Sequence, residues 1–504
     1  MNYYLGLDNG GTTTKAALFD EKGKEIAVYS ISTAAITEKP DFVERDMEQM
    51  WIDNCIVIKE VLKQSKVKSN EIKGIGICGH GKGMYLWGKD ECPVRNGIIS
   101  TDNRTYSYVT KWRKDGTEKK AFQYSYQHVM ASQPVALLAW LKDNEPENYQ
   151  NIKWIFECKD YIRFRLTGKA KAEITDYSGT GMMNLSKKAF DLRLLECFNI
   201  PEVMDALPPI CTSTEIAGYV TQDAAALTGL KEGTPVIGGM FDINACAIAS
   251  GVLSSEKICM IAGTWSINEY PDLKPSLEGH NVMNSLFCIE PYYLIEQSSP
   301  TSAGNLEWFI KELMPDVKSS DIYDTINKAV EEISYKQFVP VFLPFLMASN
   351  VHPNARGSLI GLSISDNRGV LFRSIYEGIC YGHRHHYEKL METGRDAPEV
   401  IRLSGGAANS KVWSQMFADI MKIPVETIKA NQTGALGCAI AAAFAAGQYD
   451  TLDLAVQSMS EIGQRYEPNT DSFKYYDKRY HLYRKIIDAL DPVWDEIQEN
   501  IENI

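Results

Sequence analysis

The sequence predicts an α/β protein built from two similar lobes with a cleft between them. A glycine-threonine turn opens a β-like hairpin at residues 9–14, and another occurs at Gly263-Thr264. After each hairpin, strand-like and helical stretches follow in a similar order. The chain of 504 residues also exceeds the length that one hydrophobic core usually serves. We therefore expect a duplicated α/β plan, with ligands bound at strand ends between the lobes.

The first half begins with β-like runs at 3–8 and 12–19, which Asn9-Gly10-Gly11 joins as a hairpin turn. A third strand is expected at 25–30. Apolar residues at helical spacing predict a helix at 46–64. The remaining predicted strands of this half are at 72–78, 85–87, 98–101 and 234–237.

The second half repeats this order with predicted strands at 258–262 and 265–270. Later elements are strands at 400–403 and 425–428 and helices at 411–421 and 435–446. The best boundary between the lobes is the Ser- and Gly-containing stretch 249–256, which divides the chain into 1–250 and 251–504.

Composition limits the class of partner. The formal net charge is −13, which argues against nucleic acid and anionic membranes as partners. The most apolar helix candidate, at 434–447, is too short to span a bilayer, and no secretory signal is visible. The eleven cysteines are scattered without a Cys-x-x-Cys pair, which favours reduced thiols in a cytoplasmic protein.

The segment Gly238-Gly239-Met240-Phe241-Asp242 places a carboxylate at the end of an apolar strand. Such a carboxylate is well placed to take a proton from a bound hydroxyl group. The alternative is an aspartate that caps the following helix.

Two loops have the chemistry of phosphate binding, which needs backbone N–H groups and hydroxyl donors that approach closely. Asp8 could hold Mg²⁺ through water, and Lys15 could neutralise phosphate charge. The alternative is a plain hairpin with solvated threonines. The candidate phosphate-binding residues are Gly10, Gly11, Thr12, Thr13 and Lys15 in the first loop and Gly263 and Thr264 in the second.

Two further groups stand at strand ends. Gly405, Gly406, Ala407 and Asn409 could cradle the adenine or ribose of a nucleotide, although a simple strand–helix turn has the same pattern. His80, Lys82, Asp102 and Arg104 supply the mixed donors and acceptors that bind sugar hydroxyls. An exposed loop and a surface ion pair are the alternatives.

The clustered histidines and most of the candidate tryptophans are expected to have structural roles. His383, His385 and His386 lie on a predicted helix without the acid or spacing that a metal site needs, so we expect a polar helix face. Trp51, Trp140, Trp265 and Trp308 could stack on a sugar or a base, but for most of these four we expect packing in the protein.

These motifs, in this order along almost the whole chain, resemble those of the FGGY carbohydrate kinases. That family belongs to the actin–hexokinase–Hsp70 ATPase superfamily. The resemblance implies two ribonuclease H-like lobes around a central cleft. The further matching segments are Lys159-Asp160-Tyr161, Leu166-Thr167-Gly168, Asp176, Ser178, Ser302-Ala303-Gly304, residues 357–362 and residues 374–378.

The resemblance implies ATP-dependent phosphorylation of a primary hydroxyl on a small open-chain sugar, with Mg²⁺ as cofactor. Asp242 would be the catalytic base, Gly304 would belong to a nucleotide-side loop, and the protein would form a homodimer. Four further runs are similar to the branch that acts on the ketopentose L-xylulose, namely residues 43–47, 81–83, 299–309 and 342–346. D-xylulose, L-ribulose, gluconate and polyols such as glycerol or erythritol are the alternative substrates.

Departures from the family pattern concern mainly the sugar. Ser100 and Lys82 replace residues usual in glycerol kinases and xylulokinases, and Gly11 removes one hydroxyl from the first loop. A silent regulator on the same fold would lack the base or the metal acid, whereas Asp242 and Asp8 are both present. An ATPase of chaperone or acetate-kinase type would lack the sugar-side group, which consists of His80, Lys82, Asp102 and Arg104.

Overall fold

The computed structural model describes residues 1–277, 282–314, 321–392 and 394–502. Strands of the first half are β1 (Tyr3–Asn9), β2 (Thr13–Asp20), β3 (Glu25–Ser32), β4 (Glu44–Arg45), β5 (Ile72–Gly79), β6 (Tyr85–Gly88), β7 (Gly97–Ile98), β8 (Ile152–Phe156), β9 (Ala172–Glu173), β10 (Met183–Asn184), β11 (Ala189–Phe190), β12 (Ile210–Cys211), β13 (Ile216–Tyr219), β14 (Pro235–Ile237) and β15 (Met240–Phe241). Its helices are α1 (Met47–Ser65), α2 (Tyr106–Asp115), α3 (Thr117–Ser125), α4 (Pro134–Asn144), α5 (Pro146–Asn151), α6 (Cys158–Thr167), α7 (Ile174–Tyr177), α8 (Leu192–Cys197), α9 (Gln222–Thr228) and α10 (Asp242–Ala249).

Strands of the second half are β16 (Lys257–Ala262), β17 (Ser266–Asp272), β18 (Met283–Leu286), β19 (Tyr293–Ser299), β20 (Val341–Leu343), β21 (Ser358–Ile360), β22 (Val400–Ser404), β23 (Val425–Ile428) and β24 (Ile462–Tyr466). Its helices are α11 (Gly304–Leu313), α12 (Ile322–Glu331), α13 (Arg368–Met391), α14 (Lys411–Met421), α15 (Thr433–Ala445), α16 (Leu452–Met459), α17 (Phe473–Leu490) and α18 (Trp494–Glu502). Short 3₁₀ helices occur at Ser69–Glu71, Pro201–Ala206, Gly406–Asn409, Thr470–Ser472 and Asp491–Val493.

The two halves form sheets of the same design, which confirms the duplicated α/β plan. In the first sheet the order is β13-β14-β5-β1-β2-β3, and β15 also pairs with β5. In the second it is β18-β19-β17-β16-β22-β23-β24. Each sheet has an antiparallel hairpin beside parallel central strands: β1 with β5 and β14 in the first, β16 with β22 and β23 in the second.

Helices α10 and α15 pack between the sheets and form a shared apolar core. The helix α15 comes from the second half of the chain but lies on β1 and β5 of the first sheet. This approach is close because the strands carry glycines where they meet the helix. A Cβ atom at Gly6 would lie 1.9 Å from the Ala435 carbonyl oxygen, and one at Gly76 would lie 2.4 Å from that of Cys438.

The expected helix at 46–64 is α1, and Asp46 caps it by accepting from the Gln49 backbone N–H. The alanine-rich helix α15 is buried, as predicted. No described helix is long and apolar enough to cross a membrane. All eleven cysteines are free.

Two expectations were wrong. The strand predicted at 98–101 is only Gly97–Ile98, because the chain then turns and the Asp102 N–H donates to the Ile99 carbonyl. The three histidines of α13 do not form a polar face: His383 and His386 are buried, since the helix packs there against β17 and β19. The spacing of residues along α13 did not predict the burial of these histidines, because a buried helix can carry polar residues that bond to neighbouring elements.

Candidate active site

Asp242 is the first residue of α10, which begins directly after the short strand β15. Phe241, not Asp242, stands at the capping position, and the Ile243 backbone N–H donates to the Asp242 carboxylate. The turn before it requires glycine: Gly239 has φ +77°, and a Cβ atom there would lie 2.1 Å from the Ile77 carbonyl oxygen. The aspartate is thus a fixed helix-start residue rather than a helix cap.

Removal from bulk water raises the pKa of Asp242 well above the usual carboxyl range, and the negative charges of Asp8 and Asp176 raise it further. A carboxylate whose pKa moves toward neutral pH is a better general base than an ordinary surface aspartate. The environment of Asp242 therefore suits proton abstraction from a hydroxyl group.

The carboxylate lies in a cavity of about 390 Å³ between the lobes. Both predicted phosphate loops and the Gly405–Gly406 turn contribute to this one cavity, so the fold brings together groups that lie up to about 400 residues apart in sequence. The predicted residues that line it are Asp8, Gly10, Thr13, Lys15, Asp242, Thr264, Gly405, Gly406 and Asn409.

Other predicted residues lie around this cavity without lining it. Thr12 is exposed at the hairpin, and Ala407 is buried in the core of the second lobe. Gly263 donates its N–H to the Trp265 carbonyl, and a Cβ atom at Gly304 would lie 3.6 Å from the Thr264 Cα atom. Gly263 and Gly304 therefore shape the loop that presents Thr264.

Asp8 and Lys15 face each other across the β1–β2 hairpin, with Asp8 Oδ2 3.9 Å from Lys15 Nζ. The described residues contain no cluster of three or more Asp, Glu, His or Cys side chains that could hold a metal ion. A single cavity-lining carboxylate nevertheless fits Mg²⁺, which commonly uses one or two carboxylates together with water and substrate phosphates. Asp8 is the residue that would hold it.

Arg45 was not predicted as a site residue, although its guanidinium binds backbone carbonyls of the first phosphate loop. Its guanidinium donates to the carbonyl oxygens of Gly10 (3.2 Å) and Gly11 (2.6 Å) and to the Thr33 hydroxyl (3.0 Å). No short sequence motif predicts this role, because the carbonyl groups that Arg45 binds are distant in the sequence. Asn431, Gln432 and Thr433, just before and at the start of α15, also line the cavity and were not predicted as site residues.

The loop that carries His80 and Lys82 adjoins the catalytic segment at Gly81. The four predicted sugar-binding residues His80, Lys82, Asp102 and Arg104 do not themselves line the cavity that contains Asp242. A Cβ atom at Gly81 would lie 2.7 Å from the Phe241 ring and 2.9 Å from Asp176 Oδ1. His80 is buried, its Nε2 lies 2.8 Å from the Tyr85 hydroxyl, and burial with the nearby Arg45 charge lowers its pKa to about 3. His80 is therefore a neutral hydrogen-bonding residue at neutral pH.

Lys82 has φ +62°, a left-handed conformation that is unusual outside glycine. No described carboxylate lies within ion-pair distance of its ammonium group, although its charge lowers the pKa of buried Glu157. The residue is half-buried between Gly81 and Gly83.

Asp102 and Arg104 form a buried ion pair, not the surface pair considered as an alternative. Arg104 Nε and Nη2 donate to the Asp102 carboxylate at 2.8–3.0 Å, and the Val43 N–H donates to it at 2.7 Å. The Met84–Ile98 bridge joins the segment that leads to Asp102 to the residue that follows Lys82-Gly83. Arg104 Nη2 also donates to Glu44 at 2.7 Å, whereas Nη1 is buried without a hydrogen-bond partner.

Beneath the loop that carries Gly81 and Lys82, three buried carboxylates surround Lys159. Its Nζ lies 2.6 Å from Asp160 Oδ2, 3.1 Å from Asp176 Oδ2 and 3.2 Å from Glu173 Oε2. The acids raise the pKa of Lys159, which outweighs the effect of burial. The cluster joins α6, β9 and α7 behind Gly81 and Phe241.

Comparison with known proteins identifies the family to which this chain belongs. Residues 3–249 match the model for the N-terminal domain of the FGGY family of carbohydrate kinases, and residues 258–446 match the model for its C-terminal domain. The chain therefore belongs to the FGGY family of carbohydrate kinases, phosphotransferases that act on an alcohol group.

Among its relatives is the L-xylulose/3-keto-L-gulonate kinase of Escherichia coli K12, 34% identical over 500 residues, with 99% of each chain covered. A probable L-xylulose kinase of Pasteurella multocida is 34% identical over 495 residues, covering 97% of this chain and 99% of the relative. The solved xylulose kinase of Rhodospirillum rubrum has a TM-score of 0.85 at 25% identity, covering 98% of this chain and 100% of the other. The gluconate kinase structure from Lactobacillus acidophilus shows the same fold, with a TM-score of 0.86 at 24% identity over 98% of this chain and 99% of that one.

Proposed function

We propose that this kinase transfers the γ-phosphoryl group of ATP to the primary hydroxyl of a ketopentose such as L-xylulose. The observation that carries the proposal is the placement of Asp242 in one cavity with Asp8, Lys15 and Thr264. A phosphoryl-transfer site needs a base for the hydroxyl proton and donors for the phosphate oxygens, and this cavity offers both.

In the proposed reaction Asp242 accepts the proton of the sugar hydroxyl as its oxygen attacks the γ-phosphorus. The bond from that phosphorus to the β–γ bridging oxygen breaks, and ADP leaves. Lys15, the N–H groups of the first loop and Thr264 bind the phosphate oxygens. Mg²⁺ held at Asp8 would neutralise phosphate charge when bound. Positioning and charge stabilisation supply most of the rate.

The roles divide between the lobes in this proposal. Residues 1–250 carry the base and bind the sugar through His80, Lys82, Asp102 and Arg104. Residues 251–504 bind the nucleotide at Thr264, Gly405, Gly406 and Asn409, while Gly263, Gly304 and Ala407 shape the loops that present these residues. The eleven free thiols support a reducing compartment such as the cytoplasm. The homodimer that the resemblance implies is tested by the mass of the purified chain in solution.

A sugar acid is the second candidate substrate. The Lys82 ammonium favours it, because a neutral sugar brings no carboxylate within ion-pair distance of this cation. Arg104 Nη1 is a further unused donor, although Asp102 and Glu44 already pair with the Arg104 guanidinium. The E. coli relative's name includes 3-keto-L-gulonate, a carboxylate.

A coupled ADP-release assay across ketopentoses, aldonates, keto-aldonates and polyols tests both candidates. Highest kcat/KM on L-xylulose supports the first, and highest kcat/KM on a keto-aldonate supports the second. The variant Lys82→Met should then lose activity on acids far more than on neutral sugars. Best turnover on glycerol or D-xylulose would contradict the proposed substrate.

A further inference from the structure

Two histidines of α13 are buried behind the second phosphate loop, outside the cavity that the proposed reaction uses. His383 is 0% exposed and His386 2% exposed. His386 Nε2 lies 3.0 Å from the Ser299 hydroxyl at the end of β19. His383 makes the larger set of contacts and joins three segments of the second lobe.

The hydrogen bonds of His383 define its protonation. Its Nδ1 lies 2.8 Å from Asn268 Oδ1, and its Nε2 lies 3.0 Å from the Ser302 hydroxyl. The Asn268 amide nitrogen donates to the Gln297 carbonyl at 3.2 Å, so Oδ1 is an acceptor. Nδ1 of His383 must then carry the proton, and Nε2 accepts from Ser302.

The partners of His383 belong to the two segments that present Thr264 to the cavity. Ser266, whose hydroxyl lies 3.2 Å from the His383 ring nitrogens, begins β17 directly after the Gly263–Trp265 turn. Ser302 precedes α11, and its N–H donates to the Thr264 carbonyl at 3.1 Å. One imidazole therefore contacts the strand that follows the Thr264 loop, at Ser266, and the segment before α11 that binds the Thr264 carbonyl, at Ser302.

The imidazole is suited to this role because it stays neutral. Burial lowers the pKa of His383 to about 3. A neutral ring donates at one nitrogen and accepts at the other, whereas a protonated ring has no acceptor for the Ser302 hydroxyl. The ring thus keeps the same donor and acceptor pattern throughout the ordinary pH range.

We propose that His383 is a positioning residue of the nucleotide site: it fixes the Gly263-Thr264 loop and the start of α11 through Ser266, Asn268 and Ser302. The inference rests on the proposed function, because it assumes that Thr264 binds phosphate. It predicts that loss of these bonds weakens the use of ATP and leaves sugar binding unchanged.

The test uses the full chain with His383→Gln, His383→Ala and Ser302→Ala. A glutamine carbonyl can take the place of Nε2 as acceptor for Ser302, whereas alanine cannot. His385→Gln is the matched control, since His385 lies on the same helix but faces Arg484 and Lys389. KM for ATP, KM for the sugar, ATP affinity by calorimetry and Tm are measured for each variant.

We expect KM and Kd for ATP to rise about ten-fold in His383→Ala and Ser302→Ala and less in His383→Gln. KM for the sugar should stay unchanged, and His385→Gln should match wild type. The small Ser302→Ala change tests the contact even where His383→Ala fails to fold. Wild-type ATP affinity in folded variants, or an equal rise in both KM values, would overturn the assignment. A wild-type protein that does not bind ATP would instead contradict the proposed function on which the assignment rests.

Discussion

Gly437 of α15 approaches Ala245 of α10 so closely that a Cβ atom at position 437 would lie 2.0 Å from the Ala245 carbonyl oxygen. Ala245 lies one helical turn after Asp242. The start of α15 lies beside the other acid of the cavity, since a Cβ atom at Gly434 would be 3.1 Å from Asp8 Oδ2. The crossing of these two helices therefore sets the position of the base relative to the first phosphate loop.

Gly437→Ala should push α10 and α15 apart. We expect a loss of about 1–3 kcal/mol in the free energy of unfolding, together with a fall in kcat, because Asp242 moves with its helix. Urea denaturation and ADP release measure the two effects. Gly382→Ala is the control: this glycine also lies within a helix, but its nearest neighbour, Pro344, would be 3.8 Å away. That variant should be as stable as wild type or more stable by about 0.5–1 kcal/mol. Equal stability losses in both variants would contradict this view of the crossing.

Lys159→Met should be strongly destabilising. It removes the cation that Asp160, Glu173 and Asp176 share, after which only Asp160 keeps an ion-pair partner, Arg163. Breaking such a buried group typically costs about 3–5 kcal/mol. Lys142→Met is the matched control, because Lys142 pairs with Glu202 at the surface. Its loss should be no more than about 1 kcal/mol. Denaturation midpoints separate the two, and similar losses would show that the buried cluster carries no special stability.

Asp242→Asn should raise stability while it removes activity. The folded carboxyl binds its proton more tightly than the unfolded chain does, so wild-type stability falls as the pH rises above the ordinary carboxyl pKa. Asparagine cannot ionise and escapes this loss. In chelator-containing buffer without ligands, Tm of the variant should exceed that of wild type at neutral pH, and the gap should close near about pH 4. A constant gap across that range would exclude ionisation as its cause.

Arg45→Met should weaken the first phosphate loop. The guanidinium supports the carbonyls of Gly10 and Gly11, and no neighbouring cation replaces it in the described structure. We expect KM for ATP to rise about ten-fold while KM for the sugar stays the same. Steady-state kinetics with each substrate varied in turn measure this. Arg193→Met is the control, because it removes a partly exposed ion pair with Asp191 that does not line the cavity. This variant should leave both KM values unchanged.

The sequence predicts those parts of the site that depend on local patterns. The segment Gly238–Asp242 is one example. Its two glycines and its carboxylate directly follow a strand, so short-range backbone preferences determine their geometry. The hairpins at Gly10 and Gly263 are local for the same reason. Long-range pairing is what sequence could not supply. Arg104 bonds to Glu44, 60 residues away, Arg45 acts on carbonyls 34 and 35 residues away, and His383 bonds to Ser302, 81 residues away.

The most direct test of the central claim compares sugar-dependent ADP release by wild type, Asp242→Asn and Asp223→Asn. Asp223 is an exposed aspartate of α9 and serves as the matched control. If Asp242 is the base, its variant should lose about 10²–10⁴-fold in kcat, while KM for ATP stays near the wild-type value. The control should keep wild-type kinetics. Near-wild-type ADP release by Asp242→Asn would contradict the account.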